Sequence, residues 1–107
     1  MTTFDKREEA FEKKFVLDEE QKFKAEARRN NLLGLWVAEQ LGLSGDAAKD
    51  YAKTVVAAEF SEGRDKAVFR KVMADLSAKG VSISEAEVRA KMDKLMAEAV
   101  KQVKAGV

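Results

Sequence analysis

Not one of the 107 residues is proline. A chain of this length without proline lacks the residue that most forcibly ends helices, and its many alanines, lysines and glutamates are strong helix formers. The six glycines fall mostly between apolar-periodic stretches, so they read as punctuation between helices. The expected fold is all-α.

Each helix can be placed from its own signals. The first is predicted from about Asp18 to Leu41, with Asp18, Glu19 and Glu20 at its positive end and Gly42 after its last turn. A helical wheel puts Phe23, Ala27, Gly34, Ala38 and Leu41 on one face and Leu32 and Trp36 well off it, so this helix is apolar on more than one side. Gly34 inside it costs roughly 1 kcal/mol against alanine, which predicts a close approach by another helix. Ser44 is placed to cap a second helix reaching about Phe60, with Ala48, Ala52, Val55, Val56 and Phe60 as its core-facing stripe. Ser61-Glu62-Gly63-Arg64 is the break. A third helix follows, with Asp65 as cap, Val68, Phe69, Val72, Met73 and Leu76 facing inward, and Gly80 as the left-handed residue after its end. The fourth start is the sharpest signal: Ser84-Glu85-Ala86-Glu87 is a capping box, with Ile83 and Val88 at the positions of a hydrophobic staple. Val88, Met92, Leu95, Met96, Ala99 and Val103 continue one stripe toward the end of the chain. Short connections favour antiparallel neighbours, so residues 18–107 are expected to form an antiparallel four-helix bundle.

Composition then removes whole classes of function. The length suits one modest core. With no cysteine and no histidine, disulfides, zinc-finger spacing, Cys or His nucleophiles and imidazole proton switching are excluded. Twenty basic and nineteen acidic residues give a net charge of +1, which offers no global attraction to nucleic acid or to an anionic membrane. There is neither an apolar signal region nor a run near the roughly 20 apolar residues that cross a bilayer. No membrane insertion and a cytoplasmic location are expected, with partners recognised locally.

Residues 1–17 differ in character and form a separate leading arm. Phe4, Phe11 and Phe15 fall within about 40° of one another on a helical wheel, a narrow aromatic ridge about 16 Å long. Glu9 and Lys13 are a favourable pair at i, i+4, but Glu8 and Glu12 repel at the same spacing. An isolated helix of this length is marginal in water. Continuing the wheel places the ridge about 100° from the face of Phe23, Ala27, Gly34 and Ala38, so one straight helix cannot bury both in one core. Two readings follow. The rings fold back over the open end of the bundle, or they are the i, i+7, i+11 anchors of a flexible, partly helical arm that folds into a groove on another protein.

The run Phe23-Lys-Ala-Glu-Ala-Arg-Arg-Asn-Asn-Leu-Leu-Gly-Leu-Trp36, preceded by Met1-Thr-Thr-Phe-Asp-Lys-Arg7 and followed by Gly42-Leu-Ser-Gly-Asp-Ala-Ala48, resembles the zeta-type inhibitor subunit of alphaproteobacterial F-type ATP synthases. The resemblance continues through Tyr51-Ala-Lys-Thr-Val-Val56, Val68-Phe-Arg-Lys-Val-Met-Ala-Asp-Leu76 and Ser84-Glu-Ala-Glu-Val-Arg-Ala-Lys-Met92, and so covers essentially the whole chain. It implies a four-helix bundle and a non-enzymatic regulator whose partners are the catalytic and non-catalytic subunits and the central stalk of F1. Its place would be the inner face of the plasma membrane, held there through F1FO-ATP synthase. By the same resemblance the leading arm enters the F1 subunit interface, orders as helix and blocks rotation in the hydrolytic direction. That role falls on Thr3, Phe4, Asp5, Lys6, Arg7, Glu8, Phe11 and Phe15, with the phenylalanines as apolar anchors and Lys6 and Arg7 pairing with acidic groups.

The resemblance also implies weak regulatory binding of ADP or ATP by the bundle, with no cofactor required. Arg28, Arg29, Asn30 and Trp36 are the candidates. Arg29 and Trp36 lie on one side of the helix about 10.5 Å apart, a span that suits a guanidinium at phosphates and an indole near adenine. The plainer readings are solvated charge for Arg28-Arg29-Asn30 and packing for Trp36, since no Walker pattern is present. A nucleotide-sensing bundle that regulates a partner is thus the alternative function. A membrane-surface role for the phenylalanine ridge is weakened by its mixed charge. Tyr51 is assigned no function, Met73, Met92 and Met96 read as core fillers, and the pairs Glu8 with Glu12 and Glu85 with Glu87 lie in charge-mixed, solvated surroundings unlike a catalytic acid and base. Ser61-Glu62-Gly63-Arg64 departs from the family, whose members often carry proline there. The lack of histidine means that a pH switch like that of the mitochondrial inhibitor protein cannot run through imidazole.

Overall fold

The computed structural model describes residues 17–106, and they fold as four helices: α1 (Glu19–Gln40), α2 (Gly45–Ala58), α3 (Asp65–Ala78) and α4 (Glu85–Lys104). Among the described residues there is no strand. Side-chain pairings fix the directions. Arg29 of α1 meets Glu59 at the end of α2, whereas Gly34 lies against Ala52, so the two helices run oppositely. Arg28 pairs with Gln102 and Trp36 with Lys91, which makes α4 antiparallel to α1. Tyr51 reaches Asp75, and Glu59 shares Arg29 with Asp65, which does the same for α2 and α3. The result is the expected antiparallel four-helix bundle.

Capping chemistry sets the boundaries. Asp18 accepts from the Gln21 backbone N–H at 2.7 Å, and Gln21 Oε1 accepts from the Asp18 N–H at 3.2 Å, so α1 opens with a reciprocal capping box. Gly42 (φ +80°) and Gly80 (φ +75°) follow the ends of α1 and α3. At both, the next residue donates back into the last turn, Leu43 to Ala38 at 2.8 Å and Val81 to Leu76 at 2.9 Å, closing Schellman motifs that an L side chain would strain. Ser84 accepts from the Glu87 N–H at 3.1 Å. Glu87 reaches the Ser84 hydroxyl at 3.4 Å.

The core runs through Leu33, Val37, Val55, Val68, Phe69, Val72, Leu76, Val88 and Met92. Trp36, Tyr51, Met73, Ile83 and Leu95 pack around its edge. At Gly34 an added Cβ would fall 2.6 Å from Ala52 Cα. The glycine therefore allows the backbones of α1 and α2 to approach more closely than any side chain would permit.

Three local expectations are corrected. The buried face of α1 is Ala25, Arg29, Asn30, Leu33, Gly34, Val37 and Ala38, so the wheel centred on Phe23 is out of phase. Phe23 is 54% exposed, because α2 and α4 flank α1 and set its inward direction between Leu33 and Gly34. Phe60 is 72% exposed, because α2 ends at Ala58 and Phe60 lies in the turn beyond it. Asp65 is the first residue of α3, and the cap position is held by Arg64 with φ +46°, a left-handed conformation uncommon outside glycine.

Candidate functional site

Where the first half of α1 meets the α2–α3 turn, the bundle contains an unusual pairing of features. One is a buried polar joint. Arg29 of α1, only 4% exposed, sends Nη2 to Glu59 Oε1 at 3.1 Å and to Asp65 Oδ1 at 2.6 Å. Its Nε donates to Asn30 Oδ1 at 2.7 Å, and Asn30 Nδ2 donates to Glu59 Oε1 at 3.2 Å. A buried guanidinium is costly unless its donors are met. Here two carboxylates and an amide from three segments meet them, and in doing so tie α1 to the α2–α3 turn.

The joint shapes its own titration. Burial is the largest influence on Glu59, and the neighbouring Asp65 carboxyl adds to it, so the Glu59 carboxyl is pushed up to about 7 against the opposing pull of Asn30 and Arg29. Asp65 goes the other way. Burial would raise it, but the hydrogen bond from Arg29, the facing Glu59 carboxyl and the positive charges of Arg29 and Arg64 outweigh that and hold its carboxyl below the usual range. On the rim, Arg64 Nη2 lies 2.7 Å from Glu26 Oε2. That contact anchors the residue with the left-handed backbone.

The second feature is an aromatic pair. Phe23 and Phe60, both exposed, have ring centroids 6.2 Å apart with planes tilted by 35°. Glu26, Ala27, Val56, Glu59 and Arg64 line the small hollow between this pair and the joint. Farther along the bundle, Tyr51 donates its hydroxyl to Asp75 Oδ2 at 2.6 Å, which Lys71 also contacts at 2.9 Å. Burial and the Asp75 partner both raise the phenol strongly, so it stays protonated.

The partner-binding candidates Thr3, Phe4, Asp5, Lys6, Arg7, Glu8, Phe11 and Phe15 lie outside the described residues. The four nucleotide candidates on α1 are dispersed. Arg28 is half-buried and donates to Gln102 on α4 at 3.3 Å. Arg29 and Asn30 belong to the joint and are not solvated charge. Trp36 packs against the core edge with Lys91 Nζ 5.4 Å from its ring centre. A cavity of about 180 Å³ lies beside Arg29 and is lined by Asp65, Lys66, Phe69, Arg89, Met92 and Asp93. Sequence reasoning missed Glu59 altogether. The signal was there: Glu59 stands four residues after Val55 and seven after Ala52, on the buried stripe of α2.

Among the described residues no helix is long and apolar enough to cross a membrane. The curated proteins contain no match to this chain. Among solved structures, a solution NMR structure is 55% identical, covers 80% of this chain and 98% of its own, and superposes with a TM-score of 0.70. The family model described as ATPase inhibitor subunit zeta matches residues 1–102, the leading arm together with nearly all of the bundle. The chain belongs to the ATPase inhibitor subunit zeta family.

Proposed function

We propose that this protein restrains ATP hydrolysis by the F1 head of F1FO-ATP synthase through its leading arm, with the bundle as the rigid body that holds the arm in place. The observation that carries this reading is the extent of the family match, which begins at residue 1 and so includes the arm with its three phenylalanines. The arm folds as helix into the interface between catalytic and non-catalytic subunits, next to the central stalk, and blocks rotation in the hydrolytic direction. Phe4, Phe11 and Phe15 are its apolar anchors. Lys6 and Arg7 pair with acidic groups of the partner, and Thr3, Asp5 and Glu8 complete the contact. A buried phenylalanine contributes about 1.5–3 kcal/mol, much of which is offset by ordering the arm, so contacts from the bundle add to the affinity. The protein acts as a regulator and not as an enzyme, attached at the inner face of the plasma membrane through F1FO and without entering the bilayer.

The test is an ATPase assay of the cognate F1 with the wild-type protein and with Phe4→Ala/Phe11→Ala/Phe15→Ala. The triple variant is expected to lose inhibition at concentrations where the wild type is saturating. Equal inhibition by both rules out the anchors.

A second reading adds an adenine nucleotide as regulatory ligand. What favours it is the cavity beside Arg29, where Lys66 and Arg89 stand together with Asp65 and Asp93. At about 180 Å³ it is smaller than typical ligand pockets, which suits phosphates with the base lying outside. Titrating ADP or ATP while following Trp36 fluorescence tests it, and a flat response removes it.

A further inference from the structure

We propose that Glu59 and Asp65 share a proton, forming a proton-responsive latch between α1 and the α2–α3 turn: Glu59 Oε2 is buried with no hydrogen-bond partner, and an oxygen of the Asp65 carboxyl lies within 4.8 Å of an oxygen of the Glu59 carboxyl. This is a property of the bundle itself and does not rest on the inhibitor reading. The Glu59 side chain is 8% exposed. Its Oε1 accepts from Arg29 and Asn30, whereas Oε2 has no partner. Glu59 and Asp65 both lean on one guanidinium nitrogen, Arg29 Nη2, at 3.1 and 2.6 Å. With Glu26 they each bring an oxygen into a cluster within 4.8 Å.

Counting charge identifies the missing group. Glu26, Glu59 and Asp65 face Arg29 from α1 and Arg64 from the turn, so the fully ionised cluster carries one excess negative charge. A single proton on Glu59 cancels it and turns an orphan acceptor into a donor toward Asp65. From α4, Arg89 and Asp93 face the cavity shared with Arg29 and Asp65 and offset each other; Lys66 on its α3 wall is exposed. A metal ion is the poorer occupant, because Arg29 Nη2 already holds the position between the two carboxyl groups that a cation would take.

Titration follows from this geometry. Burial and Asp65 push the Glu59 carboxyl up to about 7 from 4.5, so the folded protein holds this proton more tightly than the unfolded chain does. The stabilisation is complete below the unfolded value and is lost as pH rises through about 7. Above that, two carboxylates face one buried guanidinium. The turn they hold is the one where Gly63 and Arg64 both have positive φ, and it carries Phe60 against Phe23. Losing the proton therefore loosens the segment that positions the aromatic pair. The chain has no histidine, so no imidazole contributes to this response.

The experiment compares thermal unfolding of the full-length protein and of Glu59→Gln from about pH 5 to about pH 8, with the wild type's carboxyl 13C signals followed by NMR. The glutamine amide donates to Asp65 permanently. The expected result is a wild-type Tm that falls across this range, a Glu59→Gln Tm that stays level, and a Glu59 carboxyl titrating near 7 while Asp65 stays ionised. Parallel Tm profiles with Glu59 titrating in the ordinary carboxylate range would overturn the proposal. So would a rise in wild-type Tm on adding millimolar magnesium or calcium at the alkaline end that Glu59→Gln does not show, since the group would then be a cation site. Should Glu59→Gln fail to fold, the wild-type carboxyl titration decides alone.

Discussion

About 7.5 Å of helical rise separates Arg29 from Gly34, yet the two mark regions of the bundle built on different physics. Around Gly34 the helices meet by shape: backbone lies on backbone at Ala52, and Leu33, Val37 and Val55 fill the space. Around Arg29 they meet by charge, through a buried guanidinium and two carboxyl groups whose balance depends on a proton. The apolar middle gives stability that is indifferent to pH. The charged region gives a joint that responds to pH, placed where α1 meets the α2–α3 turn.

Removing the guanidinium probes the contrast hardest. Arg29→Ala leaves Glu59 and Asp65 facing each other, and the expected loss is about 3–5 kcal/mol above neutral pH. Near pH 5 the loss shrinks, because the pair can take up protons. Chemical denaturation at both pH values reads this, and an equal loss at both would erase the distinction between the regions. Gly34→Ala attacks the other region. It forces α1 away from α2 and is expected to cost about 1–3 kcal/mol, with the same value at both pH values. Ser84→Ala removes the cap of α4, far from either region, for about 1 kcal/mol, also without pH dependence. Smallest of all is Phe60→Ser. Its ring is 72% exposed, so stability should stay within about 0.5 kcal/mol, and a larger drop would mean that the aromatic pair supports the joint.

The same contrast decides what was legible in the sequence. Where helices meet by shape, local signals sufficed: Gly42 and Gly80 as left-handed terminators, Ser84 as cap, Gly34 as a point of close approach. The stripe of α3 through Val68, Phe69, Val72 and Leu76 is buried as its periodicity requires. Where they meet by charge, the pattern misled. Arg29 and Asn30 look like solvated charge in the sequence, and a helical wheel draws the phase of α1 through Phe23, because it rewards large apolar residues and ignores the chance that a cation is buried. Asp65 has the residue type of a cap, but it opens the helix one residue past the cap position, and only the folded chain shows its carboxylate turned to Arg29. The available clue was long-range. Arg29 lies on the stripe Ala25, Leu33 and Val37 of one helix, Glu59 lies on the stripe of its neighbour, and opposite charges in phase with two facing cores are partners. The leading arm is legible from its phenylalanine spacing and from the family resemblance, and the role proposed for it takes its support from a family match that includes those residues.

In the proposed function the bundle holds and the arm blocks. The direct measurement is ATP hydrolysis by the cognate F1 in the presence of the full-length protein or of a version lacking residues 1–17, with circular dichroism confirming that the shortened protein keeps its helices. The full-length protein is expected to inhibit, and the shortened one at the same concentration is not. Equal inhibition by the two would show that the arm is not the inhibitory element.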